Sequence, residues 1–189
     1  ATKVAQFILL GVGGAKLMDE LNFAPEVYHL NEAHAISAGF YLYRKYGNNL
    51  AEVKKRLVFT THTPEEAGNE KHDIYLCHKM SYFCGLSIDE VKKLYGNDSD
   101  QFNHSLAALR FAKLANGVSQ LHGHVSRAMW GKYDKICQIL SITNAQNWRY
   151  WADKQLYRFM EAGDDYGMDD RKKYLKKRAF EIVADQTGK

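Results

Sequence analysis

Three short apolar runs, each breaking at once into polar residues, constrain this chain more than any other feature. Val27-Tyr-His-Leu30 leads into Asn31-Glu32-Ala-His34, and Leu57-Val-Phe-Thr-Thr61 leads into His62-Thr63-Pro64. The apolar stretch from Ile136 to Ile142 leads into Thr143-Asn144. Short apolar runs with β-branched residues and abrupt ends read as buried strands. A further strand is expected over Gly117 to Leu121.

Between these runs the pattern turns helical. Val4, Phe7, Ile8, Ala15, Met18 and Leu21 recur at helical spacing, interrupted by Gly11, Gly13 and Gly14. Such glycines mark places where another backbone packs close, and that reading outweighs a phosphate loop, for which the motif is weak. Helices are expected over Asn31–Tyr46, Leu50–Arg56 and His122–Trp130. Further helices start at Thr63-Pro64-Glu65-Glu66, with Thr63 as the cap, and at the capping box Ser87-Ile-Asp-Glu90. Phe102, Leu106, Leu109 and Ala112 line one face of another. Trp151 to Ala184 reads as two helices split by Gly163-Asp-Asp-Tyr-Gly167. Strands alternating with helices predict an α/β fold, helix-rich, with a parallel sheet. Neither an internal repeat nor a linker is evident.

Several classes are excluded by composition. The 189 residues are 46% hydrophobic, enough to bury a core and too apolar for a disordered chain. The longest early apolar run, Phe7 to Gly14, falls short of a membrane span and lacks the flanks of a signal peptide. A net charge of +4 suits anionic small molecules without demanding nucleic acid. Cys77, Cys84 and Cys137 are an odd number with no CxxC, so they read as free thiols in a reducing, cytoplasmic compartment.

In parallel α/β sheets the carboxyl ends of the strands face a common crevice where ligands bind. The polar residues after the three runs would converge there, and their donors and acceptors suit a polyhydroxyl ligand. Taken singly, each has a plainer reading. His29 and His34 could be hydrogen-bonded core histidines, Thr63 a helix cap and Asn144 a turn residue. Only their joint occurrence at strand ends carries the site. His29, Glu32, His34, His62, His122 and His124 would supply ligands to a His-rich metalloenzyme, but no pair has metal-site spacing, so no metal is expected. Trp148, Tyr150 and Trp151 could stack on sugar rings, although core packing is the commoner fate of such residues. Arg171-Lys-Lys-Tyr-Leu-Lys-Lys-Arg178 reads as the solvated face of a helix.

Three longer motifs, in order, resemble the glycogen (α-glucan) phosphorylase family, with the short bacterial and archaeal branch nearest. They are Tyr28-His-Leu-Asn-Glu-Ala-His-Ala35, Phe59-Thr-Thr-His-Thr-Pro-Glu-Glu-Ala-Gly-Asn-Glu70 and Asn116-Gly-Val-Ser-Gln-Leu-His-Gly-His-Val-Ser126. Ile142-Thr-Asn144 fits the family's next motif. The resemblance implies a Rossmann-like half of a GT-B fold. It also implies an enzyme that splits terminal α-1,4-glucosidic bonds with inorganic phosphate, releasing glucose 1-phosphate with retention. Pyridoxal phosphate is the implied cofactor, acting through its own phosphate as an acid-base partner of the substrate phosphate. By the same resemblance Glu32, His34, His62, Thr63 and Asn144 bind the sugar substrate, and none of them transfers a proton.

Two departures qualify this. Ala145-Gln146-Asn147 replaces the family's usual residues after Asn144, which alters the acceptor side. The family's cofactor lysine segment and its substrate-phosphate Arg and Lys residues have no counterpart here. Residues 1–189 are therefore expected to be a partial N-terminal domain, without the cofactor-binding C-terminal domain, inactive alone. The start at Ala1 and the stop at Lys189 agree with that expectation. The full-length protein would be a glycosyltransferase, with homo-oligomerisation left open. The alternative is a non-catalytic carbohydrate-binding or interaction module.

Overall fold

A computed structural model describes residues 1–188 as two compact units, Ala1–Asn144 and a second that begins at Ala145. The first unit is built on a four-stranded, all-parallel sheet in the order β1-β2-β5-β6. Its strands are β1 (Tyr28–Asn31), β2 (Leu57–Thr61), β5 (Leu114–Gly117) and β6 (Gln138–Ser141). Asn31 pairs with Thr60, Thr60 with Asn116 and Gly117 with Ser141, so the strand ends lie level along one edge. The expected α/β architecture is present, and β2 has the predicted bounds. The third strand lies earlier than predicted, because Ser119 takes its hydroxyl to the His122 amide and starts a helix there.

The helices cross between strands. The first is α1 (Thr2–Ile8), continued through one π-helical turn (Leu9–Gly13) into α2 (Gly14–Glu20). Between β1 and β2 lie α3 (Ser37–Lys45) and α4 (Leu50–Lys54). The helix expected over Asn31–Tyr46 is interrupted at its start, because Glu32 adopts φ +62° and only a single 3₁₀ turn, Ala33–Ala35, follows. Between β2 and β5 come β3 (Lys71–Asp73), α5 (Ile74–Lys79), α6 (Ile88–Tyr95), β4 (Gln101–Asn103) and α7 (His104–Phe111). The antiparallel β3–β4 pair is too short and polar to announce itself in sequence. The Ser87–Glu90 capping box is made in full.

All eight residues of α7 are buried, so the one-faced helix expected there is an all-round core helix. Phe40, Tyr82, Phe83 and Phe102 pack edge-to-face or tilted with one another, and Phe40 packs against Phe111 of the helix. This aromatic cluster is the centre of the first unit. Helix α8 (Gln120–Trp130) covers β5 and β6. Gly123 lets it approach, since a Cβ there would stand 2.0 Å from Ser141 Oγ.

The second unit contains α9 (Trp148–Trp151), α10 (Lys154–Ala162) and α11 (Asp165–Thr187). Gly163 ends α10 at φ +66°, close to the predicted break. Arg171 grips Asp153 through two hydrogen bonds of 3.0 and 2.7 Å and holds that carboxyl at about 2. Trp148, Tyr150 and Trp151 are exposed rather than core-packed, because α9 has only four residues and buries none of them. No described helix is long and apolar enough to cross a membrane.

The glycine-rich first helix makes a paired prediction. A Cβ on Gly11 would lie 2.1 Å from Ser37 Oγ, 2.7 Å from Ala35 O and 2.8 Å from Ala38 N, whereas one on Gly14 meets nothing within 4 Å. Gly11→Ala should destabilise by about 1–3 kcal/mol, since backbone must move. Gly14→Ala should be neutral or stabilising by about 0.5–1 kcal/mol. Urea denaturation midpoints of the two variants should therefore move apart.

Candidate functional site

The site forms where β1 and β2 end. Glu32 continues the β1–β2 ladder, its amide donating to Thr60 O at 2.9 Å. Its φ of +62° is unusual for a residue with a side chain and costs about 1–3 kcal/mol. The turn sends the Glu32 carboxylate across to the next loop. There Oε1 accepts from the His62 backbone N–H and, at 3.2 Å, from the Thr63 hydroxyl. Hydrogen bonds to a carboxylate contribute about 1.5–3 kcal/mol each, enough to hold the strained turn.

Thr63 is therefore not a helix cap, as predicted, but the far end of this tie. Pro64 is followed only by a 3₁₀ turn, Glu66–Gly68, whose preceding residue Glu65 makes no side-chain cap. Glu32, His34 and Thr63 line one small cavity of about 70 Å³ with Gly68, Asn69, Glu70 and Ser105. Asn69 is buried there, donating to Glu65 O at 2.8 Å and accepting from Ser105 Oγ at 2.6 Å. The residues missed at the sequence level are thus Asn69, Glu70 and Ser105. The first two lie inside the second family-like motif, whereas nothing local marks Ser105.

The other predicted residues lie outside this cavity. The His62 side chain is exposed. Asn144 follows β6, its amide donating to Val118 O at 3.1 Å and its side chain exposed. The structure brings together Glu32, His34 and Thr63, joins His62 to them through its backbone, and leaves Asn144 at the end of another strand.

The histidines sort differently from the sequence reading. His29 is exposed and shares a 2.7 Å hydrogen bond with Thr60 Oγ1, which donates to Asn116 Oδ1 at 2.7 Å. His34 is half-buried against the Phe7 ring, with centroids 4.9 Å apart. The fully buried histidine is His104, which shares hydrogen bonds with His72 at 2.9 Å and with the Tyr82 hydroxyl at 2.8 Å. Among the described residues no three His, Cys, Asp or Glu side chains are grouped to hold a metal. Cys77, Cys84 and Cys137 are free, and burial pushes their thiols up, Cys77 to about 12 and Cys137 to about 11. Such thiols are poor nucleophiles.

The donor set around the cavity decides what it can do. It offers two carboxylates, a hydroxyl pair, an amide and an imidazole, and no lysine or arginine lines it. That set matches sugar hydroxyls and repels phosphate. Pyridoxal phosphate does not fit these residues.

The catalytic domain of starch synthase IV from Arabidopsis thaliana, solved bound to ADP and acarbose, superposes with a TM-score of 0.57 at 14% identity. The match covers 82% of this chain and 33% of that one. The fold is thus the helix-rich α/β, parallel-sheet architecture found in a GT-B glycosyltransferase catalytic domain. No family model matches the chain. An uncharacterised protein of Methanocaldococcus jannaschii is 41% identical over 98% of this chain and 35% of its own length. The maltodextrin phosphorylase of Thermococcus litoralis is 34% identical over 84% of this chain and 21% of its own. The glycogen phosphorylase of Mycobacterium tuberculosis is 33% identical over 81% and 21%. Over most of its length the chain is thus similar to maltodextrin and glycogen phosphorylases, and it spans about a third or less of these relatives.

The buried histidine sets a pH dependence. Burial, with smaller contributions from His72 and His34, lowers His104 from 6.5 to about 3. The folded chain keeps it neutral while the unfolded chain protonates it. Its contribution to stability is complete above about pH 6.5 and is lost as pH falls toward 3. One proton of difference corresponds to about 1.4 kcal/mol per pH unit. Urea stability should therefore fall from pH 6 to pH 4, and His104→Met should flatten that slope by about one proton.

Proposed function

We propose that this chain is part of the N-terminal half of an α-1,4-glucan phosphorylase and supplies sugar-contacting residues of its cleft. The observation that carries the reading is the Glu32 tie, which sets a strand-end cavity of hydroxyl-matching groups beside the exposed His62 side chain. The phosphorylase homology and the chain's small share of its relatives' length support it. In this reading Glu32 and His34 line the cleft, His62 and Thr63 contact the glucosyl unit at the cleavage point, and Asn144 bonds a sugar hydroxyl. None of them moves a proton. Their task is to orient the reacting sugar, which accelerates the reaction only where contacts strengthen in the transition state.

The cofactor pyridoxal phosphate and the groups that hold inorganic phosphate belong to the other half of the parent protein. That half supplies the phosphate chemistry, and the segment alone is inactive. We place the parent enzyme in the cytoplasm, acting on a glucan chain end.

The test uses the parent protein, assayed for glucose 1-phosphate release from maltodextrin and phosphate. His62→Ala should lower kcat at least tenfold while changing KM by less than threefold, because the contact serves the reacting sugar. An unchanged kcat with a raised KM rejects that role. No phosphorolysis by the wild-type parent rejects the enzyme and leaves a carbohydrate-binding module. Glucose 1-phosphate release by residues 1–189 alone rejects the division of labour.

A further inference from the structure

A second cavity lies at the opposite edge of the sheet, and the sugar site makes no use of it. Its volume is about 350 Å³, within the range of small-molecule pockets. Its lining gathers just ahead of three strands. Lys54 precedes β2, Arg110 precedes β5 and Lys135 precedes β6, whereas the sugar site follows the strands.

Arg110 is the unusual member. It sits in the last turn of α7 with only 7% of its surface exposed. Its Nε donates to Asp134 O at 3.0 Å, but the buried Nη1 has no partner. Gly96, in the left-handed conformation that ends α6, lies flat against the guanidinium, and a Cβ there would come within 2.7 Å of Nη1. A buried donor of a charged group left unpaired is costly, and native structures rarely keep one without an occupant to satisfy it.

Lys54, Lys93 and Lys135 line the same cavity. None of the three is in an ion pair among the described residues. The one carboxylate in the lining, Glu90, is held by the Ser87 amide and hydroxyl at 2.8 Å each, as half of the capping box. It therefore does not serve as Arg110's counter-ion. Tyr43, Leu50 and Leu94 give the cavity an apolar wall. A guanidinium in a cavity lined by lysines suits phosphate, and an apolar wall takes the body of an ester rather than a bare ion.

We propose that this cavity binds a phosphate monoester with an apolar or aromatic body, at a site separate from the glucan cleft. The proposal does not rest on the phosphorylase reading, since none of its lining residues lines the strand-end cavity. The donor set of the sugar cavity, with its two carboxylates, would reject the same ligand.

Calorimetric titration of the chain at constant ionic strength, with phenyl phosphate and with inorganic phosphate, tests it. Both should bind saturably, phenyl phosphate at least threefold more tightly. Lys93→Glu with Lys135→Glu, both exposed and safe for folding, should weaken phenyl phosphate at least tenfold. The same charge change on α11, Lys172→Glu with Lys176→Glu, should leave it within twofold. No saturable binding overturns the site. Equal losses in both double variants reduce it to general charge attraction and overturn it too. Phosphate binding as tight as phenyl phosphate overturns the ester body. Inactivity of the parent protein toward glucan would refute the phosphorylase reading and leave these outcomes unchanged.

Discussion

The Glu32 carboxylate accepts from the His62 amide and from the Thr63 hydroxyl, and so fixes the loops leaving β1 and β2 to each other. The small cavity lined by Glu32, His34 and Thr63 lies at this tie. It requires a residue with a long acidic side chain at a backbone angle that side chains disfavour, a strain of about 1–3 kcal/mol. Two charge-assisted hydrogen bonds offset that strain. A conformational cost retained beside a cavity of polar groups is the ordinary signature of a preorganised binding site. Its groups are positioned by the fold, so a ligand need not spend its own binding energy on ordering them.

The tie can only work on a rigid floor. That floor is the level edge of four parallel strands, backed by α7 with all eight of its residues buried. Through that floor runs a polar seam, the chain from Tyr82 through His104 to His72. The Phe7 ring links this seam to the site, packing against His34 on one side and against His72 and His104 on the other. Burial keeps His104 neutral, so near neutral pH the seam carries no charge from His104. The lining of the sugar cavity holds two carboxylates and no lysine or arginine, whereas the lining of the larger cavity is mainly basic.

Much of this was legible in the residues. The β-branched run Leu57–Thr61 reads as a strand and the Ser87–Glu90 pair as a helix start, and both are found there. Gly11 marked a close backbone contact, as expected of a glycine inside a helical pattern. What could not be read depended on long-range partners. Thr63-Pro64 has every local mark of a helix start, yet its hydroxyl is taken by a carboxylate 31 positions earlier in the chain. His104 carries no sequence mark of burial, because a histidine becomes a core residue only through neighbours such as Tyr82 and His72. Ser105 and Arg110 acquire their meaning in the same way, from groups remote in sequence. Trp148, Tyr150 and Trp151 failed for the opposite reason. Their apolar character promised a core, but a helix of four residues has no face wide enough to bury three large rings.

The central claim is that the tied loops at the ends of β1 and β2 form a sugar-contacting surface. An amide NMR titration of the chain with maltotriose tests it most directly. The account predicts that the resonances of Glu32, His34, His62, Thr63 and Asn144 move together with one saturation curve, and that Glu32→Ala weakens the response at His62 and Thr63 by at least threefold. A titration that moves only residues 145–188, or leaves all of these resonances in place, would contradict it.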